Sequence, residues 1–221
     1  MNRILLILFL MTHISLLAQS DNYTIVDSIV LKDRSFEVDS IHHSSWIDLG
    51  FKKYTPPGIH TPKEVVHDVQ LEAAHGNNFL ELVSRHNETY EEIGQFLDVP
   101  LLEGKKYLFK LSICHFPAFK GLNTLGKLST FEKPITIRVK AFNIAKGEVT
   151  RDLIYVSYPS LFVDSKVIKN TEWEEIYFYL EPKHNYNFIS IQSWFKVPAI
   201  MGYNGHVLID DISNIFEIKY K

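Results

Sequence analysis

Short runs in which apolar and polar residues alternate constrain the fold of this chain most strongly. In residues 107–113 (YLFKLSI) and 135–140 (ITIRVK), apolar residues occupy every second position. Similar runs recur at residues 79–85, 173–180, 188–195 and 206–210, and weaker ones at 25–31, 93–97, 153–156 and 215–220. Because successive strand side chains point to opposite faces, this period indicates antiparallel strands with one apolar face. Turns rich in Pro, Gly and Asn separate the runs, so the sequence predicts an all-β chain of about ten strands folded as a β-sandwich.

The composition is that of one folded domain. Of 221 residues, 46% are hydrophobic and 22% are charged, which is typical of globular chains. The formal net charge is −3 and no cluster of Lys and Arg occurs, so we expect no nucleic-acid partner. The single cysteine, Cys114, excludes an intramolecular disulfide, and we expect it to be buried and inert. No linker or repeat interrupts the chain, which predicts one domain over residues 19–221.

The first twenty residues have the order of a secretory signal peptide. Arg3 precedes an apolar run at residues 4–11, and small and polar residues follow it. The alternative, a membrane anchor, is less favoured because a spanning helix needs roughly 20 apolar residues. We therefore expect residues 1–18 to be removed after Ala18. The mature chain, without a transmembrane segment, would be exported to the periplasm, the outer-membrane surface or the medium.

Several phrases resemble a known family when they are taken together and in order. They are RSFEVD (34–39), WIDLGF (46–51), TPPGIH (55–60), GNNFLELVSRHNETYEEIGQFL (76–97), LLEGKKYLF (101–109), TEWEEIYFYLEP (171–182) and YNGHVLIDDISNI (203–215). The set resembles galactose-binding-like jelly rolls of the carbohydrate-binding-module type, as found in secreted and envelope proteins of Bacteroidetes. The resemblance implies a jelly-roll β-sandwich of two antiparallel sheets. Some such proteins continue into an OmpA-like domain, which this sequence lacks, so we do not expect it to anchor itself to the cell wall.

The resemblance also implies a cofactor. Domains of this type often hold one structural Ca²⁺ near the first and last strands, and the matching side chains are Glu37 and Asp210, with Asp211 as a substitute. Ca²⁺ takes six to eight oxygen ligands, many of them backbone carbonyls, so two carboxylates suffice. The alternative is that these acids are satisfied by turn N–H groups. No HExxH or paired-cysteine spacing indicates a zinc site.

The candidate ligand-binding residues are aromatic or polar. An exposed ring can pack against the C–H face of a pyranose, and the alternative for each ring is core packing. Trp194 shares a strand face with Ser190 and Gln192, opposite the apolar side. The ring candidates are Trp46, Trp194 and Tyr203, with Tyr54 and Tyr90 beside them. The polar candidates are His60, Arg85, Asn87, Glu91 and Gln95. If Arg85 points inward it needs a partner, and we predict Glu91, as a structural strut or as a ligand contact.

These patterns predict an exported, non-catalytic module that binds a carbohydrate or cell-envelope glycan. The sequence contains no nucleophile elbow, P-loop or dinucleotide fingerprint, and its carboxylates have no spacing diagnostic of glycoside hydrolysis. The alternative is a structural or protein-interaction module of the envelope or secretion apparatus that has no sugar site. A secreted glycoside hydrolase is a third and less favoured reading.

Overall fold

A computed structural model describes residues 22–51, 57–61, 71–117, 119–123, 125, 127–145, 147, 149–150, 152, 161–195 and 204–221. Its strands are β1 (Tyr23–Ile29), β2 (Ile47–Asp48), β3 (Ile59–His60), β4 (Phe79–Ser84), β5 (Glu92–Leu101), β6 (Lys106–Cys114), β7 (Lys120–Leu122), β8 (Leu128–Thr130), β9 (Lys133–Pro134), β10 (Thr136–Phe142), β11 (Leu161–Asp164), β12 (Glu174–Leu180), β13 (Tyr186–Trp194), β14 (Gly205–Asp210) and β15 (Ile215–Tyr220). A 3₁₀ turn lies at Ile41–His43. The alternating runs therefore form strands as predicted. The run at 153–156 lies outside the described residues.

The strands form two main sheets. In the larger, eight-stranded sheet, β6 pairs with β12 on one side and with β14 and β15 on the other. Strands β4 and β3 continue the sheet beyond β14, and β1 continues it beyond β15. The smaller sheet has five antiparallel strands in the order β11-β10-β13-β5-β2. This arrangement confirms the predicted jelly-roll sandwich of two sheets.

The main core lies between these sheets and contains the residues that alternation assigned to it. Phe109 and Leu111 of β6 face Ile137 and Val139 of β10 and Ile191 of β13 in one buried cluster. Each large apolar side chain buried in this way contributes about 1.5–3 kcal/mol. The intervening polar residues point to the outer faces of the sheets, where function can be placed.

A second core covers part of the outer face of the eight-stranded sheet. Phe119 and Phe131, on either side of the β7–β8 hairpin, pack against Phe79 and Leu208 of that sheet. These two rings and the β7–β8 hairpin thus cover this part of the sheet, and we call them the hairpin cover. Cys114 lies beneath it, and burial raises the pKa of its thiol to about 11, so it is an inert packing residue. In the described part of the chain, no helix has the length and apolar character needed to span a bilayer.

Candidate functional site

The outer face of the five-stranded sheet carries ordered rows of side chains, which we call the ladder face. Residues in register across antiparallel strands, and residues two apart along one strand, share a face. The first row contains Glu92, Gln192, Arg138 and Asp164; the second contains Gly94, Ser190, Lys140 and Phe162; the third contains Phe96, Phe188 and Phe142. Leu49 and Ile144 pack against Phe142 and Phe188 and close the third row. The chemically useful groups therefore lie in the first two rows.

A strip of adjoining planar groups, which we call the aromatic strip, crosses this sheet beside the first row. The Arg138 guanidinium lies 4.7 Å from the ring centroid of Phe162 and 4.1 Å from that of Trp194. Trp194 meets Tyr90 edge to face at 6.4 Å, and Tyr90 meets Phe51 at 5.4 Å. Phe162, Arg138 and Trp194 stand on β11, β10 and β13. Tyr90 lies shortly before β5, and Phe51 lies shortly after β2. Since neighbouring strands are about 4.8 Å apart, the strip spans roughly 19 Å.

Two ion pairs balance the charge of the ladder face. Arg138 donates to Asp164 through Nε (2.6 Å to Oδ1) and Nη2 (2.8 Å to Oδ2). The Lys140 ammonium lies 2.7 Å from Oε1 of Glu92, and both side chains are at least nine-tenths buried. Each cation thus has a carboxylate partner, so these four residues add no net charge.

Some polar atoms of this face are buried without a hydrogen bond. Among the described residues, Ser190 Oγ has no partner, and Ser190 is 0% exposed. Oε1 of Glu92 likewise has no hydrogen bond, because its contact with Lys140 is an ion pair that does not meet hydrogen-bond geometry. Buried polar groups are nearly always hydrogen-bonded, so Ser190 Oγ is an exception on this face, whereas the charge of Glu92 is compensated by Lys140.

The aromatic candidates from the sequence have different fates. Trp194 is half-buried on the ladder face with Ser190 and Gln192, where alternation placed it. Trp46 is 3% exposed, and its Nε1 donates to the backbone oxygen of Asp33 at 3.1 Å. Its ring packs in the core, so it offers no exposed platform. Tyr203, like Tyr54, lies outside the described residues.

Three polar candidates hold the protein's own backbone or core. Gln95 accepts a hydrogen bond from Lys32 N at 2.8 Å and donates to Lys32 O at 3.2 Å. His60 is buried with Nε2 2.6 Å from Oε2 of Glu81. Asn87 is exposed, and its Oδ1 accepts from both the N–H and the O–H of residue 89 in the turn after β4. These contacts are structural and lie away from the ladder face.

The predicted pair of Arg85 and Glu91 is present. Nη2 of Arg85 donates to Oε1 of Glu91 at 2.6 Å, and both residues are at least 97% buried. Oε2 of Glu91 also accepts the Val83 N–H at 3.0 Å. Burial raises the pKa of Glu91 to about 8, against the opposing charge of Arg85. Both groups point into the protein, which favours the strut over the ligand contact.

The candidate calcium ligands meet at one turn. Oδ2 of Asp210 accepts the His75 N–H at 2.7 Å, and Oε1 of Glu37 accepts the Asn77 N–H at 2.9 Å. Asp210 is 0% exposed, and burial raises its pKa to about 7. Asp211 follows it and donates its N–H to Oδ1 of Asp210. The described residues contain no cluster of three or more His, Cys, Asp or Glu placed for a metal. The carboxylate oxygens of Asp210 and Glu37 thus accept N–H groups of the chain, which is the alternative to a Ca²⁺ site that the sequence offered.

Comparison with known proteins places the fold. No family model matches the chain, and no curated protein matches it. Among solved structures, it is similar to a Stig cyclase from Fischerella sp. TAU, with 14% identity over 89% of this chain and 99% of that chain and a TM-score of 0.52. A second similar structure is TmCBM61 in complex with β-1,4-galactotriose, which aligns at 14% identity over 88% of this chain and all of that chain, with a TM-score of 0.44.

A third similar structure is an arabinose-bound α-L-arabinofuranosidase. It aligns at 10% identity over 86% of this chain and 26% of that chain, with a TM-score of 0.51. At these identities the likeness concerns the fold alone. The assignment of a site therefore depends on the ladder face itself.

The sequence did not predict a binding role for four residues of this face: Arg138, Lys140, Glu92 and Phe162. Alternation in ITIRVK does place Arg138 and Lys140 on a polar face, so part of the signal was available. Their ion-pair partners come from other strands, and sheet order decides those pairings.

Proposed function

We propose that this protein binds a carbohydrate chain across the aromatic strip and the ladder face. One observation carries the proposal: a strip of planar groups crosses five strands of this sheet beside the partly exposed side chains of Arg138 and Asp164. Rings pack against the apolar C–H faces of sugars, and the partly exposed polar groups beside them can form hydrogen bonds with sugar hydroxyls.

The charges of the face favour a neutral glycan. Arg138 and Lys140 are already paired with Asp164 and Glu92, so an anionic sugar would meet two carboxylates without gaining a free cation. A neutral hydroxyl can donate to either carboxylate while the ion pairs stay intact. The strip length of roughly 19 Å suits an extended segment of several sugar units rather than one monosaccharide.

We propose that the protein binds the glycan without cleaving it. Glycoside hydrolysis needs one carboxylic acid that donates a proton and a second carboxylate across the bond. On the ladder face, each carboxylate is held by a cationic side chain, an arrangement suited to accepting hydrogen bonds. A reducing-sugar assay with each bound glycan tests this point, and released product would contradict it.

Binding is tested by calorimetry with xylohexaose, cellohexaose, β-1,4-galactotriose and hexagalacturonate. Phe162→Ala removes a ring that is 54% exposed, and we expect it to weaken binding of the best neutral oligosaccharide roughly tenfold. Tyr220→Ala is the matched control, because this ring is 52% exposed on the other sheet. Equal affinities of the two variants, or silence of the folded wild type across the panel, would overturn the proposal.

We also propose that the chain is exported through its N-terminal signal. Mass spectrometry of the protein expressed in a Gram-negative host is expected to show a mature chain that begins at Gln19. A mature chain that begins at Met1 would contradict this.

A protein-interaction role is the second candidate, and strand β1 favours it. Ile25 and Val26 of this strand are 57% and 45% exposed, and within the described residues β1 pairs with β15 alone. Exposed apolar edge strands are templates for pairing with another chain. Sedimentation of the wild type and of Ile25→Lys tests for self-association, while unchanged glycan affinity in Ile25→Lys separates this role from sugar binding.

A further inference from the structure

The aromatic strip begins at a corner between the two sheets. The chain leaves β4 of the eight-stranded sheet after Ser84 and enters β5 of the five-stranded sheet at Glu92. Ser84 and Tyr90 form an isolated antiparallel bridge, and the Arg85 N–H donates to Thr89 O at 2.8 Å. Tyr90 lies near the end of this corner, so the geometry of the corner decides where its ring stands.

Ser193 ties the corner to the strand that carries Trp194. Its hydroxyl lies 2.7 Å from the backbone oxygen of Val83 and 3.1 Å from that of Glu91. Its oxygen accepts the Glu91 N–H at 3.3 Å, and its own N–H donates to Glu91 O at 3.0 Å. Ser193 is 0% exposed. One buried hydroxyl therefore joins β13 to both β4 and the start of β5.

The Glu91 side chain completes this connection from the other strand. It accepts the Val83 N–H through Oε2 and an Arg85 N–H through Oε1. The Glu91 N–H also donates to Val83 O at 2.9 Å. The backbone of Val83 is thus held on both its N–H and its C=O by groups that belong to the five-stranded sheet or to its entry.

Glu91 and Ser193 each stand between two residues of the ladder face or the aromatic strip. Glu91 lies between Tyr90 and Glu92, and Ser193 lies between Gln192 and Trp194. Since successive strand side chains point to opposite sides, an inward anchor at one position orients its outward neighbours. We infer that Arg85, Glu91 and Ser193 form a buried strut that sets the spacing of Tyr90 and Trp194. They act as positioning residues, and the consequence for binding rests on the proposed function.

The first test measures ring spacing without any ligand. Thr and Val have side chains of nearly the same shape, but Val has a methyl group where Thr has a hydroxyl. Comparing Ser193→Thr with Ser193→Val therefore isolates the hydroxyl. In protein with protonated Tyr and Trp in a deuterated background, we expect a nuclear Overhauser effect between the Tyr90 and Trp194 rings, which are 6.4 Å apart between centroids. Ser193→Thr should retain this signal, and Ser193→Val should lose it. Retention in folded Ser193→Val would overturn the strut.

A control variant tests whether general loss of stability removes the ring signal, and a second pair of variants is available if the first does not fold. Asn170→Ala removes two side-chain hydrogen bonds, to Ile113 O and Glu172 O, that involve no residue of the strip or of the strut, and it should leave the ring signal unchanged. Loss of the signal in Asn170→Ala would show that general destabilisation suffices and would overturn the strut. If the Ser193 variants do not fold, Glu91→Gln and Glu91→Met replace them, since Gln retains an acceptor for the Val83 N–H and Met does not.

The second test measures affinity for xylohexaose, the pentose chain of the panel. We expect Ser193→Val to bind it roughly tenfold more weakly than Ser193→Thr, because the ring contacts lose their spacing. Equal affinities would overturn the strut as a positioning device. If no variant and no wild type binds any glycan, the proposed function fails, while the ring signal still decides the strut by itself.

Discussion

Acid should destabilise this protein through His206, which is held neutral under the hairpin cover. Its Nδ1 donates to Phe131 O at 2.7 Å, and its Nε2 accepts the Phe116 N–H at 3.1 Å. Its ring stacks on Phe119 at 4.3 Å, and the residue is 0% exposed. Burial lowers the pKa of His206 from 6.5 to about 3. Protonation would break the bond from Phe116 and leave a charge under the cover.

The magnitude follows from proton linkage. Below pH 6.5 the unfolded chain binds a proton at this position and the folded chain does not, so stability falls as pH falls. One pKa unit corresponds to about 1.36 kcal/mol, and pH 5.0 lies 1.5 units below 6.5, so the loss there is about 2 kcal/mol. At pH 7.5 this group contributes almost nothing to the pH dependence.

The assay is urea unfolding at pH 7.5 and 5.0 for the wild type and for His206→Asn, which keeps a donor for Phe131 O and does not titrate. The variant should be less stable at pH 7.5 by about 2 kcal/mol, because it loses the stack and one hydrogen bond. Its further loss on going to pH 5.0 should be about 2 kcal/mol smaller than that of the wild type. The neighbouring groups His60, Glu81 and His115 are present in both proteins and cancel. Equal losses in the two proteins would refute the reasoning.

Three further outcomes are expected. Arg85→Ala should lower the free energy of unfolding by about 3–5 kcal/mol in urea titrations, because it leaves Glu91 buried without its cation, and a loss below 1 kcal/mol would contradict the pairing. We propose that Ca²⁺ binds beside Asp210, so the melting temperature of the protein should be higher in calcium than in EDTA. The variant Asp210→Asn should abolish this difference. Gly94→Ala should cost about 1–3 kcal/mol, because the added Cβ would lie 2.4 Å from the ring of Phe188, and unchanged thermal stability would show that the ladder face repacks freely.

Local patterns predicted the faces of most strands correctly. Phe109 and Leu111 point into the core and Lys110 points out, as period two required. The pairing of Arg85 with Glu91 was also accessible, because a buried guanidinium needs a carboxylate and Glu91 stands on the next run. The first prediction depends on geometry within one strand, and the second depends on two strands that follow one another in the sequence.

Local patterns predicted less well whether a side chain is exposed to solvent. Trp46 stands in a segment without alternation, so nothing local distinguished a platform from a core ring. Its burial against Phe36 and its bond to Asp33 O depend on how the N-terminal segment folds over the sheets. Gln95 was assigned to a ligand by its type, yet Lys32, distant in sequence, takes both ends of its amide.

The sequence by itself determined the class of fold and the face on which most strand side chains lie, because period two is set by backbone geometry within each strand. Tertiary structure alone brought Phe162, Arg138, Trp194, Tyr90 and Phe51 into one strip. Their strands are ordered β11-β10-β13-β5-β2, so neighbours in the strip come from distant parts of the chain. Sheet order and register follow from the packing of the whole core, and no local pattern in a single strand contains that information.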